Sequence, residues 1–589
     1  MIKKFYIRLE QMKQDYISLK EIEEFKKEYL HLYQISKNKQ FHDLYQNLEK
    51  IRKESNIQFL KREEREVSQL LDDVKGYPLD SEQRQVVLQD EQNTLVIAGA
   101  GSGKSLTMIG KIRYLIERKK VQNDQILCIS FTNDATNSLK NTLKKYYNYD
   151  LLVVTFHKLA LQIIRKASGK VNIAEDDLLN KIVENYLDNT IFQEKDAQKW
   201  ICQHFFHKYN KKNNISVNKM QSFPHIYKKI QKTNYFQSLK KVIPTFIHLM
   251  KSNQKTDQDM NNWIQKSKIF KIWNRSDTYF LSLIQRIYEI YQKTLSKNNC
   301  IDFDDMIHQA TVMVKKDFTS SYQYVLIDEY QDTSTTRYKL IQAILEKTNA
   351  KLIVVGDDFQ SIYRFTGCDL NIFLKFKQFF PYSNILKIQK TYRNSQELIH
   401  VAGNFVMRNP RQMTKNLRSD KHILKPIVIQ YYQNVVIGLK RILDTIPYQN
   451  IFLLGRNHCD INILLHDSDF VYEGERNICY QKRPHLRLTF LTIHCSKGLE
   501  SEAVILLNLK NMTMGFPSQL EDDPILRYVN QTKDYYPYEE ERRLFYVAIT
   551  RTQNEVYLLV PKKNPSVFVQ ELIRKDKKYI RIQKDRDMV

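Results

Sequence analysis

A chain of 589 residues, 42% hydrophobic and 27% charged, is too long for one hydrophobic core and too apolar to be disordered, so two to four globular domains are expected. Seven cysteines without a C-x-x-C pair argue against a disulfide scaffold or zinc site and for a cytoplasmic setting; MIKKFYIRLEQ lacks a signal segment, and no apolar run could span a membrane. The formal charge of +26 suits a polyanionic partner, although the abundance of Lys, Asn, Ile and Tyr is also what an AT-rich genome encodes.

Residues 1–75 are rich in Glu, Lys, Leu and Gln, with apolar residues at helical spacing. This predicts an N-terminal helical or short coiled-coil extension. "GYPLD" (76–80) breaks the pattern. From about 94 to 160 the short apolar runs TLVIA, ILCISF and LLVVTF alternate with helical stretches, the pattern of a parallel α/β sheet. Residues 166–300 lose the alternation and read as helical. Within them, 191–300 carry 20 Lys and Arg against 6 Asp and Glu, which is 14 of the 26 net charges. Codon bias would not concentrate over half of the excess in under a fifth of the chain. The α/β pattern resumes at YVLID (324–328), LIVVGD (352–357) and ILKI (385–388), then at IFLLG (451–455), LTFLTI (488–493), AVILLN (503–508) and EVYLLV (555–560).

"LVIAGAGSGKSLTM" (95–108) reads as a buried strand, a glycine-rich turn and a helix. Ala98, Gly99, Ala100, Gly101, Ser102 and Gly103 can turn successive N–H groups toward one anion. Lys104 can reach the outer phosphates of a nucleoside triphosphate, and Ser105 can ligate Mg²⁺. Ala98 departs from the glycine of the G-x-x-x-x-G-K-[ST] consensus. "VLIDEYQDTS" (325–334) supplies the complement: Asp328 is positioned for Mg²⁺ and Glu329 for the attacking water. Gln331 and Asp332 receive no catalytic role.

These motifs resemble the UvrD/Rep-type superfamily 1 helicases over roughly residues 76–570, closest to the helicase IV branch. In the family's order stand "LDSEQRQVV" (79–87), "AGAGSGKS", "ISFTNDATNSLK" (129–140), "TFHKLA" (155–160), "IDFDDMI" (301–307), "IDEYQD", "VVGDDFQSIYRFTG" (354–367), "TYRNSQELI" (391–399), "LTIHCSKGLE" (491–500) and "EEERRLFYVAITRT" (539–552). The resemblance implies two RecA-like P-loop domains. The first spans 76–165 plus 301–385 and carries a helical basic insertion (166–300); the second spans 386–575, followed by a basic tail (576–589). Thr492 follows Arg393 by 99 residues, so the helical domain that larger relatives insert there is expected to be absent or vestigial.

Roles follow from the resemblance. Gln83 would read adenine, Tyr392 would stack on it, and Gly498 and Glu500 would lie near the ribose. Gln360 would sense the γ-phosphate, and Arg393 and Arg551 would be the arginine fingers. Phe131, Tyr363 and Phe365 would stack on DNA bases, with Asn133, Thr155, His157, Thr492 and His494 on the backbone. Leu106–Thr107 and Thr366 stand where many relatives have Arg, which implies looser nucleotide selectivity and one fewer DNA contact. The expected activity is an ATP- and Mg²⁺-dependent 3′-to-5′ translocase and helicase on single-stranded or tailed duplex DNA. Alternatives are an ATP-driven remodeller of RNA polymerase or another protein–nucleic acid complex, and the motor of a phage-defence or repair complex. The 37 residues after Thr552 leave no room for a fused nuclease, so a nuclease or repair partner would be a separate protein.

Overall fold

The computed structural model describes residues 1–213, 222–269, 275–464, 466–474, 476–520, 522–530 and 536–583. Two α/β lobes carry the expected alternation. The first is built on six strands in the order Leu152–Thr155, Ile126–Ser130, Tyr324–Ile327, Lys351–Gly356, Asn93–Ala98 and Ser383–Ile388. Every neighbouring pair is parallel. All strands therefore end at one edge of the sheet, where an α/β fold collects its functional loops. Their near-continuous apolar runs reflect burial on both faces.

The second lobe has eight strands: Phe470–Tyr472, Asn477–Tyr480, Arg487–Thr492, Asn450–Gly455, Ser501–Leu506, Thr552–Pro561, Ile427–Tyr432 and Ile580–Gln583. The first two form an antiparallel hairpin. It occupies part of the interval between Arg393 and Thr492. Residues 576–589, expected to be a basic tail, depart from that reading at Ile580–Gln583, which adds a parallel edge strand beside Ile427–Tyr432. The alternation I-R-I lets Ile580 enter the core while Arg581 faces outward. Residues 584–589 lie outside the described residues.

The N-terminal segment folds back on itself instead of extending as an arm. Helices Ile2–Met12, Leu19–Ile35, Lys39–Gln46, Leu48–Glu66 and Ser68–Asp72 follow one another. Phe5, Leu9, Ile22, Phe25, Phe41 and Leu48 make a small separate core. Ser18 begins the second helix with a capping box to Glu21. This unit is anchored to the first lobe by buried polar contacts. Arg52 Nη1 and the Tyr16 hydroxyl donate to Glu91 Oε1 at 3.0 and 2.9 Å. Tyr114 Oη and Arg118 Nε donate to Glu63 at 3.0 and 2.8 Å. Arg52→Ala would remove the cation beside the buried Glu91 carboxylate, which keeps the Tyr16 hydroxyl and the Leu19 N–H, at a cost of about 3 kcal/mol. Residues 1–72 should then lose amide-exchange protection before either lobe does; unchanged protection would show that the anchor contributes nothing.

The segment expected to be a basic helical insertion forms helices with a core of its own, including Tyr186, Leu187, Phe236, Phe246, Phe280 and Ile284. A two-stranded ladder, Asn172–Ile173 with Cys300–Ile301, closes its neck. Residues 214–221 and 270–274 of the insertion lie outside the described residues. A strap from the second lobe docks into this core, burying Ile525, Leu526 and Val529. Asn253 Nδ2 donates to Val529 O at 2.9 Å, and Arg527 pairs with Asp277.

Candidate functional site

The P-loop leaves strand Asn93–Ala98 and enters helix Lys104–Glu117 through Gly101 and Gly103, with φ of +71° and +75°. Glycine is needed there for space as well as for conformation. A Cβ on Gly101 would stand 2.5 Å from Arg393 Cβ, and one on Gly103 would stand 2.6 Å from Gln83 Nε2. Ser102 Oγ closes the loop on Gly99 O at 2.9 Å. Gln83 is fully buried and completes a capping box with Asp80; its Nε2 donates to Ser102 O at 3.0 Å. The amide expected to read a base therefore also braces the phosphate loop. Ser105 is exposed on the first turn of the helix.

The segment expected to follow the first lobe is seated directly on this loop. Thr391 Oγ1 donates to Ala100 O at 2.7 Å, and Tyr392 N donates to Gly101 O at 2.9 Å. The Tyr392 ring is half-exposed, and its hydroxyl donates to Asp80 Oδ2 at 2.8 Å. Arg393 Nε reaches Glu500 Oε2 at 2.5 Å. Gly498 turns the chain before Glu500 with φ +83°.

Strand Tyr324–Ile327 stops one residue before Asp328, whose N–H still donates to Ile129 O. Glu329 takes a left-handed conformation, φ +51°, unusual for a residue with a side chain. Partial burial and the adjacent Glu329 push Asp328 up to about 7. Burial also raises Glu329, but Lys104 and Lys497 outweigh it and hold Glu329 below the usual carboxylate range. Even with Lys104 and Lys497 nearby, Asp328 stays raised, so the pair would gain from a further cation.

Across the cleft the imbalance reverses. Arg551 is buried, and desolvation together with neighbouring Arg393 pushes it down to about 9. Its Nη2 donates to Gln360 Oε1 at 3.1 Å, while Gln360 Nε2 donates to Asp357 Oδ2 at 2.6 Å. Arg393 pairs with Glu500, whereas Arg551 contacts Gln360 and backbone carbonyls and stays depressed despite Glu329 and Asp357, so this side favours an anion. The site thus offers carboxylates for a cation and arginines for an anion, which matches a metal–triphosphate.

Of the residues expected to touch DNA, Tyr363, Phe365 and His494 come together. Tyr363 Oη donates to His494 O at 3.1 Å, and the Phe365 and His494 rings lie 5.6 Å apart. A second group forms at the first sheet's edge, where Phe131 packs on Phe156 with Arg337 over its ring, and His157 lies beside Phe303. Burial pushes His157 and His494 down to about 4, helped by Arg337 and Arg456 respectively. Both imidazoles are neutral at neutral pH, so they could serve a backbone as hydrogen-bond groups and not as charges. Asn133 is exposed on the first turn of its helix. Thr155 caps helix Phe156–Ser168, and Thr492 Oγ1 accepts from Cys495 N at 3.4 Å, so both hydroxyls already have local partners.

Three side chains in the centre, Lys497, Gln331 and Asp332, have no role from the sequence. Lys497 Nζ donates to Asp332 Oδ2 at 2.5 Å and Gln360 O at 2.8 Å, lies 3.9 Å from Glu329, and sits over the Tyr363 ring. Gln331 Nε2 donates to Glu329 and its Oε1 accepts from Asp357 N at 2.9 Å. The signals were present, since Lys497 lies in "LTIHCSKGLE" and Gln331 and Asp332 in "DEYQD", but no spacing says that these loops meet.

A phosphate loop, a carboxylate edge and two facing arginines, divided between a parallel sheet and a mixed one, define a P-loop motor of the two-lobed class. Residues 79–381 match the UvrD/REP helicase N-terminal domain, and the chain belongs to the UvrD/REP helicase family. It is 28% identical to DNA helicase IV of Escherichia coli over 85% of this chain and 70% of that protein. It is 29% identical to the ATP-dependent DNA helicase Rep of Buchnera aphidicola over 72% of this chain and 61% of the relative. Against the ATP-dependent DNA helicase PcrA of Staphylococcus aureus, identity is 26% over 58% of this chain and 41% of that protein. The chain thus spans less than two thirds of Rep and PcrA. Among the described residues no helix is long and apolar enough to cross a membrane.

Proposed function

We propose that the chain is an ATP-dependent translocase on single-stranded DNA that unwinds tailed duplexes in the 3′-to-5′ direction. The observation that carries the reading is the divided site: the P-loop and Glu329 lie in one lobe, Arg551 in the other, and Gln360 and Lys497 join them. Residues 76–165 with 301–385 act as the first motor domain, 386–575 as the second, and 166–300 as an appended module.

ATP enters with its phosphates on the N–H groups of residues 99–105, and Lys104 neutralises the outer oxygens. Gln83 and Tyr392 flank the base. Ser105 and Asp328 would hold Mg²⁺, an ion that takes few protein ligands beside phosphate and water, and the raised Asp328 carboxyl would gain a cation. When bound, Mg²⁺ would offset charge on the phosphate oxygens. Glu329 accepts the proton of the attacking water. Arg393 and Arg551 meet the charge that builds on the γ-phosphoryl as the lobes close, and Gln360 ties that closure to the phosphate. Closure moves His494 relative to Phe131, His157, Tyr363 and Phe365, and this displacement advances the strand.

The deciding test is strand displacement on 3′- and 5′-tailed duplexes with and without ATP. Displacement of the 3′-tailed substrate alone, and only with ATP, is expected; displacement confined to 5′ tails, or none, would overturn the polarity or the helicase reading. The metal site has a separate test without turnover. Adding Mg²⁺ to the ADP-bound protein should raise its melting temperature, and Asp328→Asn should lose most of that increment. An equal increment in the variant would place the ion elsewhere.

A further inference from the structure

Between helix Gln396–Val406 and strand Ile427–Tyr432, both in the second lobe, the chain crosses over the first. Met413 N donates to Asp358 Oδ2 at 2.8 Å, and Thr414 O accepts from Lys387 Nζ at 2.8 Å. Leu417 covers the P-loop so closely that a Cβ on Gly99 would stand 2.7 Å from its Cδ2. Arg418 Nη2 reaches Glu82 Oε1, on the helix of Gln83, at 2.7 Å. This brace therefore touches the base-side helix, the phosphate loop and the loop that carries Gln360.

Lys415 lies at its centre. The side chain is 2% exposed, and its ammonium pairs with Asp357 Oδ1 and, at 2.5 Å, with Asp358 Oδ1, two adjacent carboxylates with no exposure at all. It also sits 3.7 Å from the centre of the Phe359 ring. Three buried charges are a costly arrangement for a fold that needs only packing there. What the arrangement does supply is an orientation. An amide side chain such as Gln360 can present either its oxygen or its nitrogen to Arg551, and only the oxygen suits a guanidinium. Asp357 selects that face, because its Oδ2 accepts from Gln360 Nε2 at 2.6 Å and leaves Oε1 to Arg551.

We propose that Lys415 is a positioning residue for ATP turnover: by pairing with Asp357 it fixes the Gln360 amide with its oxygen turned toward Arg551. The assignment rests on the ATPase reading above. Burial alone would raise Asp357, and Lys415 is the first of the groups that hold it below the usual carboxylate range. The same path continues to the water side, since Asp357 N is held by Gln331, whose other end contacts Glu329. Lys415 touches no nucleotide-facing atom itself, so its loss should change turnover and spare binding.

The test is steady-state ATPase of the full chain at saturating single-stranded DNA, alongside binding of a fluorescent ADP analogue. Lys415→Met should lower kcat about 100-fold, the scale of losing one preorganised transition-state contact, with KM and analogue affinity within threefold of wild type. Lys415→Met combined with Gln360→Ala should be no slower than Gln360→Ala alone, because both act on one contact. A kcat within threefold of wild type, or a double variant whose loss is the product of the single losses, overturns the role. If Lys415→Met does not fold, Lys415→Met/Asp358→Asn measured against Asp358→Asn is judged by the same criteria. A wild-type chain without ATPase activity would instead bring down the ATPase reading and this role with it.

Discussion

Glu329→Gln should bind ATP about as well as the wild type and hydrolyse it about a thousandfold more slowly, whereas Lys104→Ala should lose binding and turnover together. The amide keeps the volume of Glu329 and its contact with Gln331, but it cannot take a proton from water, and removal of a general base costs about 10²–10⁴ in rate. Lys104 opens the P-loop helix and is the cation that acts most strongly on Glu329. Its loss removes charge from the phosphates and leaves the carboxylate pair less compensated, so affinity falls too. Fluorescent-nucleotide titration with single-turnover hydrolysis separates the two variants. Turnover within tenfold of wild type in Glu329→Gln would remove Glu329 from the mechanism.

The contrast between these variants depends on electrostatics that only the fold reveals. Asp328 and Glu329 are adjacent in the chain, yet one is pushed up and the other held down. Lys497 makes part of the difference, since it stands 3.9 Å from Glu329 and arrives from a segment 168 residues later. Arg551 meets Arg393 in the same way, across an interval that sequence spacing does not measure. Closure would therefore bring two imbalances, one of each sign, onto one ligand.

What could be read from the sequence was whatever is local. The runs TLVIA, YVLID, LIVVGD and AVILLN are strands because they are short, apolar and flanked by turn or helix signals. The P-loop is likewise local, its glycines and Lys104 lying within one strand–turn–helix unit. Strands Ile427–Tyr432, Phe470–Tyr472, Asn477–Tyr480 and Ile580–Gln583 were missed. Three of them lie at or next to an edge and are only three or four residues long, and IVIQYY follows a long irregular crossing. The folded-back N-terminal helices were legible as helices but not as a docked unit, because docking depends on Glu91 and Arg118, distant in sequence. Lys415 carried no signal at all: it lies in an irregular segment, "RQMTKNLRS", and its importance comes from which carboxylates it meets.

Tyr363→Ala combined with Phe365→Ala should weaken single-stranded DNA binding about 30-fold or more and abolish most of the DNA stimulation of ATPase. Stacking on an aromatic side chain contributes about 1–3 kcal/mol per base, and two such platforms lost together exceed a factor of ten even at the low end. Phe365 is 56% exposed, a poor use of a phenyl ring unless something covers it. Tyr363 is more enclosed, and its two contacts explain why binding and turnover should fall together. Its hydroxyl donates to His494 O, in the second lobe, and its ring lies under Lys497, which reaches Asp332 and Gln360 O. A base stacked there would press on Lys497, which lies between the Tyr363 ring and Glu329, the carboxylate proposed to activate water. Fluorescence anisotropy of labelled oligonucleotides measures the first effect, and the ratio of ATPase rates with and without DNA measures the second. If affinity and ratio both stay at wild-type values, the strand runs over another face, and the group around Phe131 and His157 becomes the place to look for it.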